Sequence, residues 1–281
     1  SKIILVPRFN LDELINNIPK ATVLMGVPTF YTRLLSNDSF NNKLCEKMRL
    51  FISGSAPLLA ETHIDFEKRT GHKILERYGM TETNMSTSNP YNAERRAGTV
   101  GFPLPGIELK ITDPKTGIEL PRGEIGNLEV RGPNVFVGYW NMPEKTKEEL
   151  REDGFFITGD LGLMDADGYV QIIGRDKDLI ISGGFNIYPK ELELLLDEQE
   201  GVIESAVIGV PHPDFGETPL GILVREKSAE PKIDKIEKII KSQLARYKHP
   251  KKFIIIDELP RNTMGKVQKN LLRDQYRDTF L

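Results

Sequence analysis

The residues best suited to chemistry stand in short, separated groups. Thr81-Glu82 sets a hydroxyl beside a carboxylate, hard oxygens that suit Mg²⁺ and phosphate. The pair lies within Glu76-Arg77-Tyr78-Gly79-Met80-Thr81-Glu82-Thr83, whose Tyr78 could stack on a base. Upstream, Ser53-Gly54-Ser55-Ala56-Pro57 ends a predicted strand with small residues that let a flat ligand approach the backbone. Asp160 follows Thr158-Gly159, and a carboxylate fixed by a glycine turn can hold two vicinal ribose hydroxyls. Gly174-Arg175-Asp176-Lys177-Asp178 and Ser182-Gly183-Gly184-Phe185-Asn186 read as a boundary that both binds and pivots. Near the C-terminus, Thr263 and Gly265 make a loop that projects Lys266, a single ammonium able to neutralise charge developing on a phosphoryl group. Each group also has a plainer reading: a strand-to-helix turn, a β-turn, a solvated loop lysine.

Other chemistries find no support. The four histidines are not at metal-ligand spacing, and Cys-x-x-Cys and His-Glu-x-x-His are absent. Gly-x-Ser-x-Gly and a Walker-type loop are absent as well. A net charge of −3 argues against a general nucleic-acid binder. The single cysteine excludes an internal disulfide framework and suits a reducing compartment, the cytoplasm or an organelle matrix. No apolar run reaches the ~18 residues of a transmembrane helix. The last 41 residues hold ten Lys or Arg against four Asp or Glu, which fits a polyanion site or, more blandly, a solvated helix face.

Three textures must position these groups. Residues 1–94 alternate strands (21–27, 49–53, 72–76) with helices (from Asn10, 28–35, 58–70), which implies a parallel sheet covered by helices. Asn10 caps a helix start, Pro28 suits a first helical position, and Gly71 stops a helix. Residues 95–175 carry short strands near 107–111, 126–131, 159–164 and 169–173 between Gly- and Pro-rich turns, a small β-barrel or sandwich subdomain. Residues 176–281 read as a compact α+β domain. The fold class is thus α/β plus α+β.

Each signal is weak alone, but Tyr78-Gly79-Met80-Thr81-Glu82, Thr158-Gly159-Asp160, Gly174-Arg175 and Gly265-Lys266, in that order, resemble the adenylate-forming superfamily. That superfamily includes acyl-CoA synthetases, luciferases and nonribosomal peptide adenylation domains. The wording of Thr81-Glu82-Thr83-Asn84-Met85, of 131–136, 183–191 and 260–266 looks most like malonyl-CoA synthetases.

The resemblance implies an ATP-dependent acid–CoA ligase with Mg²⁺, taking malonate, ATP and coenzyme A as small-molecule substrates. It places Ser53, Gly54, Ser55, Ala56 and Pro57, with Glu76, Arg77, Tyr78, Gly79 and Met80, around the adenine. Thr81 and Glu82 would hold the α-phosphate and Mg²⁺, and Asp160 and Arg175 the ribose. Lys177 would be a hinge, Gly183 and Gly184 would line a pantetheine channel, and Lys266 would bridge the acid and the α-phosphate. Malonate's second carboxylate needs a partner once desolvated, and Arg77 could supply a bidentate one or could simply brace the next loop. The family's upstream phosphate loop is not in the sequence, so the chain is expected to be the C-terminal portion of a longer enzyme and inactive alone. Loading of a carrier protein, activation of another short or medium acid, and a non-catalytic nucleotide- or partner-binding fragment are the competing expectations.

Overall fold

The computed structural model describes residues 2–6, 9–226, 229–262 and 265–281. The chain divides into two compact units, Ser1–Ile172 and Ile173–Leu281. The first unit opens with α1 (Leu11–Asn17), started by the Asn10 side chain, which accepts from the Glu13 N–H at 3.0 Å. Strand β1 (Val23–Gly26) leads into α2 (Pro28–Leu35), and β2 (Leu50–Ser53) leads into α3 (Ala60–Thr70). Gly71 ends α3 in the left-handed region, as a C-terminal stop must. β3 (Leu75–Met80), β4 (Asn84–Ser88) and β5 (Phe102–Pro103) complete a five-stranded sheet in sequence order.

The three strands expected to lie parallel do so, and two further strands join them antiparallel. β1–β2 and β2–β3 are parallel, but β3–β4 and β4–β5 are antiparallel. The reason lies in the length of β3. The strand runs past the expected end at 76 through Tyr78, Gly79 and Met80, and only a three-residue turn, 81–83, separates β3 from β4. So tight a connection permits only antiparallel return. Helices cover the parallel part over a core of Tyr31, Leu34, Phe40, Phe51, Phe66 and Ile74. Phe66 packs edge-on against Tyr31 and Phe51 at 5.4 and 4.9 Å, and the Tyr31 hydroxyl donates to the Ile52 carbonyl at 2.6 Å.

Next come β6 (Glu108–Thr112), β7 (Gly126–Arg131), α4 (Pro143–Glu149), β8 (Phe156–Met164) and β9 (Val170–Arg175). The four strands form a sheet in sequence order. No pairing joins β6 to β9 among the described residues, so this sheet is open where a small barrel was expected. Thr158-Gly159-Asp160 lies inside β8 and not in a turn. Gly159 takes φ +70° where the ladder with β7 shifts register, so it serves a bulge.

The second unit contains β10 (Ile180–Ser182), β11 (Phe185–Ile187), α5 (Pro189–Asp197), β12 (Val202–His212), β13 (Gly216–Arg225), α6 (Ile233–Gln243), β14 (Lys252–Ile256) and α7 (Lys269–Tyr276). β13 is central: it pairs antiparallel with β10 and β12 and parallel with β14. Its run Leu220-Gly221-Ile222-Leu223-Val224 is apolar throughout because both faces are covered. Leu223 joins Leu192, Ile236 and Ile240 on one side, while Leu220, Ile222 and Val224 join Leu272 on the other.

Candidate active site

The carboxyl ends of β2 and β3 form one wall of a cleft of about 320 Å³. Gly54, Ser55, Arg77 and Gly79 line it, beside apolar Val27, Phe30 and Met85. Gly79 has no room for a side chain: a Cβ there would lie 1.8 Å from the Asn84 carbonyl oxygen. Ser55 takes φ +69°, a left-handed conformation that is uncommon for a residue with a side chain. Ser53 is buried at the end of β2, and its hydroxyl has no hydrogen-bond partner among the described residues. Ala56 and Pro57 continue into the exposed loop before α3 and do not line the cleft.

Strand alternation divides the next motif between two faces. Arg77 and Gly79 look into the cleft. Glu76 does not: it is buried against α3, with Oε1 3.3 Å from His63 Nδ1. Burial pushes the Glu76 carboxyl above its usual range, an effect partly offset by the contact with His63. Tyr78 reaches the neighbouring sheet, where its hydroxyl donates to Asp160 Oδ2 at 2.5 Å. Met80 Sδ lies 4.0 Å from the same hydroxyl. Asp160 is itself buried, and its N–H donates to Thr158 Oγ1 at 3.1 Å. Two motifs 82 residues apart thus meet side chain to side chain. Arg77 has no carboxylate partner among the described residues.

Thr81 and Glu82 occupy the turn after β3, with Thr81 exposed. Contacts that sequence reasoning missed hold this turn. The Asn134 side chain donates to the Thr83 carbonyl at 2.6 Å, and the Phe136 N–H donates to the Glu82 carbonyl at 2.8 Å. The Tyr139 hydroxyl lies 3.1 Å from Glu82 Oε1 and 2.7 Å from Glu149 Oε2. The aromatic run Phe136, Tyr139, Trp140 before Pro143 was the one available signal. A larger hollow of about 470 Å³, between Phe102, Lys110, Glu119 and Arg122, takes in none of the expected residues.

The second unit carries the remaining expected residues. Arg175 ends β9, and exposed Lys177 sits in the one-turn 3₁₀ segment Asp176–Asp178. Its carbonyl accepts from Arg273 at 3.3 Å, and Asp178 pairs with the same guanidinium. Gly183 and Gly184, at φ +57° and +85°, make the two-residue turn between β10 and β11. Two successive left-handed residues favour a hairpin turn of the I′ kind, which glycine enters without steric cost. Lys266 is exposed beside Gly265 at φ +77°, with its N–H on Asn262 Oδ1 at 2.9 Å and no acidic partner among the described residues. Thr263 of the same motif lies outside the described residues.

Comparison with known proteins decides the family. Residues 1–140 match the AMP-binding enzyme model, and residues 191–266 match the AMP-binding enzyme C-terminal domain. The chain belongs to the AMP-binding enzyme family. It is 40% identical to a malonate–CoA ligase of Arabidopsis thaliana, over 93% of this chain and 45% of that protein. It is 38% identical to a long-chain-fatty-acid–CoA ligase of Bacillus subtilis, over 98% of this chain and 49% of that protein. The crystal structure of ATP-bound MatB from Rhodopseudomonas palustris aligns with a TM-score of 0.95 and 59% identity, over 99% of this chain and 55% of that one. The chain therefore spans about half the length of the relatives it matches. None of its described helices is long and apolar enough to cross a membrane.

Proposed function

We propose that the protein containing this chain is an ATP-dependent acid–CoA ligase that works through an acyl-adenylate, with malonate as its acid. The observation that carries the choice of acid is Arg77, a half-buried guanidinium in the cleft wall with no carboxylate partner among the described residues. A dicarboxylate would bring the missing anion, and a bidentate pair would hold it. A monocarboxylate would leave Arg77 unmatched.

A free carboxylate is a poor acyl donor because its leaving group would be oxide. Attack of one malonate oxygen on the α-phosphorus of ATP breaks the bond to pyrophosphate and forms malonyl-AMP. The thiolate of coenzyme A then adds to the acyl carbonyl, and AMP leaves with the carbon–oxygen electron pair. In this scheme Gly54, Ser55 and Gly79 let the nucleotide approach the backbone, with Ser53, Ala56, Pro57 and Met80 framing the same strand ends. Tyr78 fixes Asp160, which with Arg175 takes the ribose hydroxyls. Glu76 acts from behind, holding β3 to α3 through His63. Thr81 takes the α-phosphate. Lys266 supplies positive charge where two anions must meet. Lys177 is the hinge, and the Gly183-Gly184 turn offers the pantetheine arm a surface without side chains.

Glu82 suits Mg²⁺. Its Oε2 has no partner among the described residues, and no cluster of three His, Cys, Asp or Glu that could hold a metal exists among them, so ATP phosphates would complete the shell. When bound, the ion would screen phosphate charge.

The apolar remainder of the cleft wall, Val27, Phe30 and Met85, favours a second reading, a longer monocarboxylic acid. ATP–pyrophosphate exchange by the full-length protein with malonate, acetate and a medium-chain acid tests both. Exchange with malonate is expected. Exchange with the medium-chain acid alone would eliminate the malonate reading.

A further inference from the structure

We propose that Tyr139 is a positioning residue that holds one oxygen of the Glu82 carboxylate and so presents the other to the metal–nucleotide. This rests on the reading of Glu82 as the Mg²⁺ ligand. Three anchors join 134–139 to the turn after β3. Two of them, from Asn134 and the Phe136 N–H, grip the backbone at Thr83 and Glu82. They suffice to fix the path of the chain. The third, from Tyr139, goes instead to the Glu82 carboxylate and engages only Oε1.

The phenol cannot wander. Its ring stands edge-on to Phe136 at 4.8 Å, and Phe136 stands edge-on to Phe156 at 5.2 Å. Phe156 begins β8, the strand that carries Asp160. One aromatic chain thus ties the orientation of Glu82 to the strand that holds the ribose-binding carboxylate. Of the three groups that meet here, a phenol and two carboxylates, the phenol carries the hydrogen, so its hydroxyl is the donor.

That single proton has two claimants. Glu149 is the nearer, and its charge is already balanced by Lys145 at 2.6 Å. Glu82 has no such counter-ion among the described residues. The two carboxylates compete, and the share that Glu82 receives sets how firmly its carboxylate is aimed. Groups that orient a metal's ligand change metal affinity about 10–100-fold when removed.

The test uses Mn²⁺ as probe, with ATP and no acid, on the full-length protein, and reads bound Mn²⁺ by electron paramagnetic resonance. Tyr139→Phe keeps the ring against Phe136 and should raise the Mn²⁺ concentration for half-saturation about tenfold. Glu149→Gln removes the charged competitor, returns the proton to Glu82, and should leave half-saturation unchanged or lower it. Glu82→Gln is measured beside them. Native Mn²⁺ binding in Glu82→Gln would overturn the metal reading itself. Loss in Glu82→Gln with native binding in Tyr139→Phe would overturn the positioning role alone. Equal weakening in Tyr139→Phe and Glu149→Gln would also overturn it, because the network would then be a brace of the fold.

Discussion

Arg77→Ala offers the sharpest test of the proposed substrate. The change removes the guanidinium from the wall shared with Gly54 and Gly79 and leaves malonate's second carboxylate without a partner. Removing one member of a buried charge pair costs about 3–5 kcal/mol. Arg77 is half-buried, so the lower end, about 3 kcal/mol, applies. At about 1.4 kcal/mol per factor of ten, kcat/KM for malonate should fall roughly a hundredfold. Arg77→Lys keeps the charge but loses the fork, and about a tenfold fall is expected. Acetate has no second carboxylate, so its exchange rate should change less than about threefold, as should the KM for ATP. Pyrophosphate exchange in the full-length protein measures all of these. An unchanged malonate kcat/KM in Arg77→Ala would refute the reasoning, and so would an equal loss for acetate.

Lys266→Ala should abolish pyrophosphate exchange yet leave thioester formation from pre-made malonyl-AMP largely intact, and parallel loss of both half-reactions would speak against its assigned step. Gly79→Ala drives a Cβ to 1.8 Å from the Asn84 carbonyl oxygen, which forces β4 away from β3. It should lower stability by about 1–3 kcal/mol, read as an earlier thermal unfolding midpoint. Burial pushes the Asp197 carboxyl up to about 6, while Ser205 Oγ donates to it at 2.7 Å. A raised carboxyl favours the fold below its unfolded pKa, near 4, and loses that contribution as pH rises through about 6. Asp197→Asn should therefore gain stability relative to the parent at pH 8, by up to about 2–3 kcal/mol, and gain little at pH 4. Urea unfolding at the two values measures the difference.

Local signals in the sequence located the elements well. Asn10 before two acidic residues, Pro28 at a first helical turn and Gly71 past a last one each act through their immediate neighbours, and each does so in the structure. The apolar run in β13 was equally legible because both faces of that strand are covered. Gly79 falls past the end of the strand expected at 72–76, and the glycine turn expected at Gly159 overlaps the strand expected from 159. Each in fact lies within a strand, one for close backbone approach and one for a bulge. Of the clamp on Glu82 the sequence offers only the aromatic run Phe136, Tyr139 and Trp140, with nothing to say what it holds. Tyr139 lies 57 residues from Glu82, and a phenol–carboxylate contact at that separation leaves no periodicity behind. The meeting of Tyr78 and Asp160 was legible only as two motifs in order, and the bond between them comes from the fold.

Glu76 and Arg77 are neighbours in sequence, yet β3 turns them to opposite sides. One is sealed against His63 under α3, and the other faces the cleft. On the role proposed for Arg77, a change at position 77 would alter which acid is welcome without disturbing what lies beneath the sheet. A change at position 76 would do the reverse. On that proposal, substrate preference can change within one scaffold at little risk to folding, because the two neighbouring side chains have separate surroundings.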